Sequence, residues 1–185
     1  MRIIGGDFRG RALASVGKGD KGAHLRPTTD RVRESLFNVL LGGRYGDPVT
    51  GARVLDLFAG TGALGLEALS RGAAHTSFVD DGRVAQRLIR QNIDLLGVGD
   101  RARLIRRDAR RLPLQEDTPF GLIFLDPPYG KGLGEKAMAA ALAGGWIAPG
   151  AFVVWEDSAP LTPPEALKQL DTRRYGDTTI SLFRV

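Results

Sequence analysis

The sequence predicts an α/β fold built on a mostly parallel, seven-stranded sheet with helices on both faces. From Val54 onward, short apolar runs alternate with amphipathic segments, which is typical of parallel strands joined by crossover helices. The last two predicted strands, residues 171–175 and 178–184, are separated only by Gly176-Asp177. Two residues cannot carry a crossover helix, so these strands must form an antiparallel C-terminal hairpin.

A small basic hairpin is expected at the N-terminus, because Arg2 to Leu13 alternates around a glycine pair, Gly5-Gly6. Residues 15–23 are rich in Gly, Lys and Asp without apolar periodicity, which favours a loop. We expect this basic arm, residues 1–24, to lie outside the catalytic core and to serve as a docking element.

The next element is a predicted helix that begins near Thr28 or Thr29, both good N-cap residues, and ends at Gly42-Gly43. Its apolar stripe is expected to dock on the main domain. Hairpin and helix together make an N-terminal region, residues 1–45, ahead of a main domain over residues 46–185.

Helices and strands alternate in the main domain, with Gly144, Gly145 and Pro149 marking the return to the fifth strand. The predicted elements before the final hairpin are strand 53–57, helix 63–71, strand 76–79, helix 83–96, strand 102–106, strand 121–125, helix 134–143, strand 151–156 and helix 163–169.

Composition narrows the functional classes. The 185 residues include no cysteine and two histidines, which excludes a disulfide framework and makes a metal centre unexpected. No apolar run approaches the roughly 18 to 20 residues of a membrane span, and Gly6 and Asp7 lie where a signal peptide would be apolar. We therefore expect a cytoplasmic protein without metal or membrane contact.

The net charge of +5 is concentrated near the N-terminus, where residues 1–33 hold eight Lys or Arg against three Asp. The other residues are balanced, with 18 basic and 18 acidic side chains. A basic arm on a neutral body is typical of proteins that bind a phosphate backbone, and Arg2, Arg9 and Arg11 are the candidate RNA-binding residues. The alternative is a basic segment that only increases solubility.

A glycine-rich turn follows the first strand of the main domain, as in nucleotide-binding folds. The acid Asp56 precedes it, where a carboxylate would repel a pyrophosphate but would suit the ammonium of S-adenosylmethionine. The alternative is a buried acid that caps the turn. Asp80, at the end of the second strand, can bridge ribose hydroxyls. The candidate cofactor residues of this turn are Asp56, Phe58, Ala59, Gly60 and Gly62.

The most informative motif is Asp126-Pro127-Pro128-Tyr129, directly after a strongly apolar strand. Proline has no N–H, so the strand stops pairing and its acceptors become available to a ligand. An amine could donate one proton to Asp126 and one to the carbonyl of Pro127, while Tyr129 stacks on the ring that bears the amine. This arrangement predicts a nucleobase pocket; the alternative is a proline-rich loop with a surface tyrosine.

Together, the motifs DLFAGTGALGLEAL, FVD, RRDA and DPPY resemble those of class I methyltransferases that modify exocyclic amines. The opening MRIIGGDFRGR and the block LRPTTDRVRE narrow this resemblance to the RsmD family, bacterial enzymes that methylate N2 of one guanine in 16S ribosomal RNA. The resemblance spans nearly the whole chain. The sequence departs from the family pattern after the second strand, where Asp80-Asp81-Gly82 stands in place of Glu, a variable residue and Asp.

The resemblance implies a class I fold, S-adenosylmethionine as cofactor, and 16S RNA or the assembling small ribosomal subunit as partner of a monomer. Arg26, Thr28 and Thr29 would then face the cofactor. Asp108, followed by Ala109, would accept from the adenine amino group. Asp80 takes the ribose contact, with Asp81 as its substitute. Asp126 and Pro127 would orient guanine N2, and Tyr129 would stack on a base flipped out of its helix.

Four alternatives share part of this pattern. Adenine-N6 and protein-glutamine methyltransferases use the same DPPY chemistry. An NAD-dependent oxidoreductase would explain the glycines but neither DPPY nor the terminal hairpin. A non-catalytic RNA-binding module would explain the basic arm but not the cofactor motifs. Stabilisation by S-adenosylmethionine rather than by NAD would separate these classes.

Overall fold

The computed structural model describes residues 1–17, 25, 28–158 and 161–185. Its elements are α1 (Asp30–Leu41), β1 (Arg53–Leu57), α2 (Ala63–Ser70), β2 (His75–Val79), α3 (Arg83–Leu96), β3 (Ala102–Ile105), a short 3-10 helix (Ala109–Arg111), β4 (Phe120–Leu125), α4 (Leu133–Ala143), β5 (Ile147–Asp157), β6 (Lys168–Tyr175) and β7 (Thr178–Arg184). Within these ranges, no helix is long and apolar enough to cross a membrane.

The seven strands form one sheet in the order β3-β2-β1-β4-β5-β7-β6. The first five pair in parallel, whereas β7 is antiparallel to both β5 and β6. This arrangement confirms the predicted mostly parallel sheet with an antiparallel end. Strand order reverses between β1 and β4, which is where open α/β sheets bind ligands beyond the carboxyl ends of their strands.

The sheet is buried on both faces, and alternate residues of each central strand enter different apolar clusters. In β4, Leu122 and Phe124 pack with residues of α1, α2 and α3, whereas Ile123 and Leu125 pack with residues of α4. Side chains of a strand alternate between faces, so a continuous apolar run is what a doubly covered strand requires. The carboxyl ends of β1 and β4, which flank the switch point, are therefore held between two apolar layers.

The N-terminal hairpin is smaller than predicted. Its strand-like pairing, over the described residues, is a single bridge between Arg2 and Ala12, and the chain turns over residues 6–10 rather than at the glycine pair. The glycines serve a different purpose, because a Cβ on Gly6 would lie 1.8 Å from the carbonyl oxygen of Ser70. Glycine is needed here for close approach of two backbones.

The expectation that this arm stands outside the core is wrong for its described part. Ile3 and Leu13 are buried in the same apolar cluster as α1 and α2. The backbone amides of Ile4 and Gly5 donate to the buried carboxylate of Glu67, each at 2.9 Å. Described residues of the N-terminal segment, among them Ile3 to Gly5 and Leu13, are thus bound to the main domain by both apolar packing and charged hydrogen bonds.

Most predicted elements are confirmed, including α1 with Thr29 as its N-cap, but the helix predicted over 163–169 is wrong. Residues 164–167 form one turn, closed by the amide of Leu167 donating to the carbonyl of Pro164 at 2.9 Å, and β6 begins at Lys168. A seven-residue helix is too short to be stable by itself, and from Lys168 onward the backbone pairs with β7 instead. The 3-10 turn at 109–111 was not predicted.

Candidate active site

A cavity of about 340 Å³ lies at the switch point, beyond the carboxyl ends of β1, β2 and β4. This volume is in the usual range of small-molecule sites. Most of the described residues around it come from the motifs singled out in the sequence. They are Leu25, Thr28, Asp56, Phe58, Ala59, Gly60, Thr61, Ala63, Leu64, Asp80, Asp81, Asp126, Pro127, Pro128 and Tyr129.

The floor of the cavity is the tight turn between β1 and α2. Phe58, Gly60 and Gly62 all have positive φ angles, of 58°, 59° and 79°. This conformation is costly for Phe58 and free for the two glycines. A Cβ on Gly65, in the first turn of α2, would lie 2.5 Å from the ring of Phe78, so glycine also lets α2 approach the sheet.

Asp56 is the buried acid at the end of β1, with 2% of its surface exposed. It accepts a hydrogen bond from the amide of Gly65 at 3.0 Å, so it caps the turn as well as facing the cavity. Burial, with a smaller contribution from Asp80, raises the pKa of Asp56 to about 8, against the opposing hydrogen bond from Gly65. A cationic ligand would stabilise its charged form.

Asp80 joins the two loops on the β2 side of the cavity. Its carboxylate accepts from the amides of Gly60 and Gly82, at 2.9 and 2.8 Å. Burial raises its pKa, and the two backbone hydrogen bonds oppose this shift. Asp81 also lines the cavity but is exposed. The ordered position of Asp80 favours it over Asp81 for a ribose contact.

Asp126 lies at the other end of the cavity, where β4 ends. Burial raises its pKa well above the ordinary value, as do the neighbouring carboxylates of Glu156 and Asp56, while a hydrogen bond from the Thr28 hydroxyl acts in the opposite direction. Thr28 lies 3.5 Å from Asp126 and 2.9 Å from Glu156. A threonine hydroxyl thus bridges two adjacent carboxylates.

Tyr129 is oriented through its hydroxyl, which donates to Glu156 at 3.2 Å and lies 3.3 Å from the hydroxyl of Thr178. Both partners belong to the C-terminal half of the sheet, Glu156 on β5 and Thr178 on β7. The DPPY turn is therefore fixed to the antiparallel end of the sheet rather than projecting freely.

The charge of the lining fits S-adenosylmethionine and not a pyrophosphate. Asp56, Asp80, Asp81 and Asp126 all face the cavity, and its described lining includes no Lys or Arg. Acidic side chains repel the pyrophosphate of a dinucleotide and attract a ligand that carries a sulfonium and an ammonium. Across the part of the chain that the structure describes, no group of three His, Asp or Glu residues could hold a metal ion.

Comparison with known proteins also indicates an S-adenosylmethionine-dependent methyltransferase. The sequence profile of the family described as Conserved hypothetical protein 95 matches residues 1–184. The Ribosomal RNA small subunit methyltransferase D of Escherichia coli K12 is 43% identical over 157 residues, covering 84% of this chain and 74% of that protein. The chain belongs to the RsmD family of S-adenosylmethionine-dependent methyltransferases.

Further RsmD relatives match the whole length. The protein of the same description from Haemophilus influenzae is 33% identical over 190 residues, covering 100% of this chain and 93% of that protein. The solved structure of yhhF from Escherichia coli superposes with a TM-score of 0.83 at 37% identity, covering 100% of this chain and 97% of that one. The predicted family, fold, enzyme class and cofactor are confirmed.

Some residues that the RsmD resemblance assigns to the cofactor lie outside the cavity lining. Asp108 caps the 3-10 turn, and its carboxylate pairs with Arg110 at 2.6 Å, which lowers the pKa of Asp108. Ala109 is buried beside it. Thr29 accepts from the amide of Val32 at 3.3 Å as the cap of α1. Gly62 is also absent from the lining, and Arg26 lies outside the described residues. These assignments stay predictions, as do the cofactor roles of the residues that line the cavity.

Sequence reasoning missed Glu156, which belongs to this RsmD site. Glu156 is 8% exposed, lies beside Asp126 at the end of β5 and bonds both Thr28 and Tyr129. The available signal was an acid directly after an apolar strand, as at Asp56 and Asp126. Unlike those two, Glu156 has no glycine or proline motif after it to distinguish it from a surface acid.

Proposed function

We propose that this protein transfers a methyl group from S-adenosylmethionine to the exocyclic N2 of a guanine in 16S ribosomal RNA. The observation that carries the proposal is the geometry of the DPPY turn, which holds a half-buried carboxylate and a tyrosine ring at the edge of an acid-lined cavity. The relatives named Ribosomal RNA small subunit methyltransferase D support the choice of RNA. The substrate is the RNA or the assembling small subunit, and the protein acts as a cytoplasmic monomer.

On the cofactor side, Asp56 would bind the ammonium of the methionine end, and Phe58, Ala59, Gly60 and Gly62 would surround it. Asp80 would accept from the ribose hydroxyls. Asp108 and Ala109 would bind the adenine, with Arg26, Thr28 and Thr29 closing the site from the α1 side. When bound, S-adenosylmethionine supplies an electrophilic methyl group on its sulfonium.

On the acceptor side, the N2 lone pair of guanine is delocalised into the ring and is a weak nucleophile. Asp126 and the carbonyl of Pro127 would accept the two N2 protons and direct the lone pair toward the methyl group. As the N–C bond forms and the S–C bond breaks, N2 becomes cationic and loses one proton. Asp126 is suited to take that proton, because its surroundings raise its pKa.

Tyr129 would stack on the guanine, which must leave its own base stack to reach the site. The exposed side chains of Arg2, Arg9 and Arg11 would contact RNA phosphates outside the cavity. Positioning of two reactants, rather than covalent catalysis, accounts for the proposed rate enhancement.

The test is mass spectrometry of 16S RNA nucleosides from a strain that lacks the gene, complemented with the wild-type gene or with the Asp126→Ala variant. We expect N2-methylguanosine to fall on deletion and to return only with the wild-type gene. Unchanged N2-methylguanosine would contradict the proposal. A loss of N6-methyladenosine, or of methylglutamine in cellular protein, would instead support the adenine or glutamine alternatives.

A further inference from the structure

A second cavity of about 570 Å³ opens beside the first. It lies between the N-terminal turns of α1 and the turn that joins β6 to β7. Thr28 and Tyr129 line both cavities, so the two spaces meet at the DPPY turn. A ligand in the second cavity would therefore approach the same carboxylate, Asp126, that faces the first.

The lining of the second cavity suits a nucleoside better than an apolar ligand. It includes the rings of Tyr129 and Tyr175, the hydroxyls of Thr28 and Thr178, and the exposed cation Arg31. Aromatic faces stack on bases, hydroxyls bond to polar edges, and a cation at the rim suits a phosphate. The hydroxyl of Ser35 bonds that of Tyr175 at 2.9 Å and ties α1 to the hairpin.

The carboxylate of Glu156 lies in this cavity wall and is fixed at both oxygens. Thr28 donates to Oε2 at 2.9 Å, and Tyr129 donates to Oε1 at 3.2 Å. Leu125 and Trp155 pair across β4 and β5, so Asp126 and Glu156 are neighbours in register at the two strand ends. The half-buried carboxylate of Asp126 and the buried carboxylate of Glu156 thus lie side by side next to whatever occupies the cavity.

Guanine is the natural base whose edge matches two adjacent acceptors. Its Watson–Crick edge carries an N1–H donor next to the N2 amine, and a carboxylate can only accept. Adenine has an unprotonated N1 at that place, whose lone pair a carboxylate would repel. The pair of acids can therefore distinguish the two purines.

We propose that the second cavity receives the target guanine and that Glu156 selects guanine by accepting its N1–H while Asp126 accepts from N2. This inference rests on the proposed guanine-N2 activity and deepens it. Glu156 is a specificity residue in this scheme, and it also positions Tyr129 and Thr28.

The test compares guanosine with 2-aminopurine riboside, which keeps the 2-amino group but has no N1–H. Full-length protein saturated with S-adenosylhomocysteine is titrated with the fluorescent 2-aminopurine riboside, and guanosine is then added as competitor. We expect the wild type to bind guanosine about tenfold more tightly, as one charged hydrogen bond allows. Glu156→Gln should reduce this ratio to about threefold or less, because an amide can either accept or donate at that position.

The matched control is Glu34→Gln, the same change at an exposed position of α1 outside both cavities; it should keep the wild-type ratio. Unchanged S-adenosylhomocysteine affinity verifies that each variant is folded. Equal weakening of both nucleosides by Glu156→Gln, or no competition by guanosine at millimolar concentration, would overturn the inference. Failure of wild-type protein to methylate small-subunit RNA would instead overturn the proposed function itself.

Discussion

The neighbours of Asp126 determine the pKa of its carboxyl group. The DPPY turn leaves Asp126 half-buried and beside Glu156, while the hydroxyl of Thr28 contacts both acids. Burial and like charge each favour the protonated form of a carboxyl. The same surroundings would favour transfer of a proton from the substrate amine to Asp126.

We predict that Asp126→Asn lowers the rate of methyl transfer by about 100-fold or more, because an amide cannot take a proton. S-adenosylmethionine affinity should change by only a few-fold, since the proposed partner of Asp126 is the acceptor base. Single-turnover rates and calorimetric titration measure the two effects. An affinity loss as large as the rate loss would assign Asp126 to cofactor binding.

Tyr129→Ala should weaken RNA binding and the rate by removing the stacking surface, by about 1 to 3 kcal/mol. Tyr129→Phe keeps the ring but removes the hydrogen bonds to Glu156 and Thr178, so we expect a smaller effect. The comparison is made in transfer assays with the same RNA. Equal effects of both variants would mean that the hydroxyl, not the ring face, is what matters.

The raised pKa of Asp56 predicts that the stability of the protein depends on pH. Its pKa is about 8 in the folded protein against 3.8 for an ordinary Asp side chain, so between these values the folded state holds a proton that the unfolded state releases. Its contribution to stability is therefore fully present at low pH and lost as pH rises through about 8. Without ligand, the wild type should lose stability between about pH 5 and pH 8 more steeply than Asp56→Asn.

Denaturant unfolding over this pH series measures the difference. Asp81→Asn serves as the control, because Asp81 is exposed at the same cavity, and it should follow the wild type. If the free energy of unfolding changed with pH in parallel for the wild type and Asp56→Asn, the raised pKa of Asp56 would be contradicted.

At the scale of elements, α2 organises both the cofactor turn and the N-terminal segment. Its first turn is capped by Asp56 through Gly65, and its buried Glu67 binds the amides of Ile4 and Gly5 together with Arg71, whose Nε lies at 2.7 Å. Because one helix makes all these interactions, a change at the N-terminus can reach the cavity. The basic segment is better tested by substitution than by deletion.

Glu67→Gln should destabilise the protein by about 3 kcal/mol, because it breaks a buried ion pair and weakens the hydrogen bonds to the N-terminal amides. Glu116→Gln, an exposed Glu in a loop, should change stability by less than about 0.5 kcal/mol. Urea unfolding of both variants measures the difference. An effect of Glu67→Gln as small as the control would show that the Glu67 interactions contribute little to holding the N-terminal segment.

The elements also show where sequence prediction succeeds. Runs such as Leu122 to Leu125 and the two-residue turn at Gly176-Asp177 determine structure locally, so the strands and the terminal hairpin were predicted. The helix predicted at 163–169 is wrong because the segment is too short for a stable helix and its last two residues, Lys168 and Gln169, pair with β7, which a local pattern does not reveal. Glu156 was missed for the same reason, since its importance comes from a neighbour on another strand.

At the scale of the whole molecule, the positions of the exposed basic residues determine where RNA would bind. Exposed Arg2, Arg9 and Arg11 lie on a segment bound to α2, so the backbone that carries these cations is held on the folded surface. Cations fixed on a folded surface can bind a phosphate backbone without the cost of ordering a flexible tail.

The double substitution Arg9→Ala with Arg11→Ala should weaken RNA binding and flatten its salt dependence. The slope of log affinity against log salt should fall by about 0.7 to 0.9 for each phosphate that is no longer neutralised. Arg90→Ala, an exposed change on α3, is the control, and S-adenosylmethionine affinity should stay unchanged in both proteins. Parallel slopes would mean that Arg9 and Arg11 touch no phosphate.

The strand order also determines when this protein becomes an enzyme during its synthesis. β1 pairs with β2 on one side but with the much later β4 on the other, and the bond between Thr28 and Glu156 joins residues 128 positions apart. Such distant pairings form slowly and only after the later partner has been translated. A nascent chain that has not yet produced β5 therefore lacks Glu156, which bonds the two residues that line both cavities, Thr28 and Tyr129. Methylation capacity arises only near the end of translation.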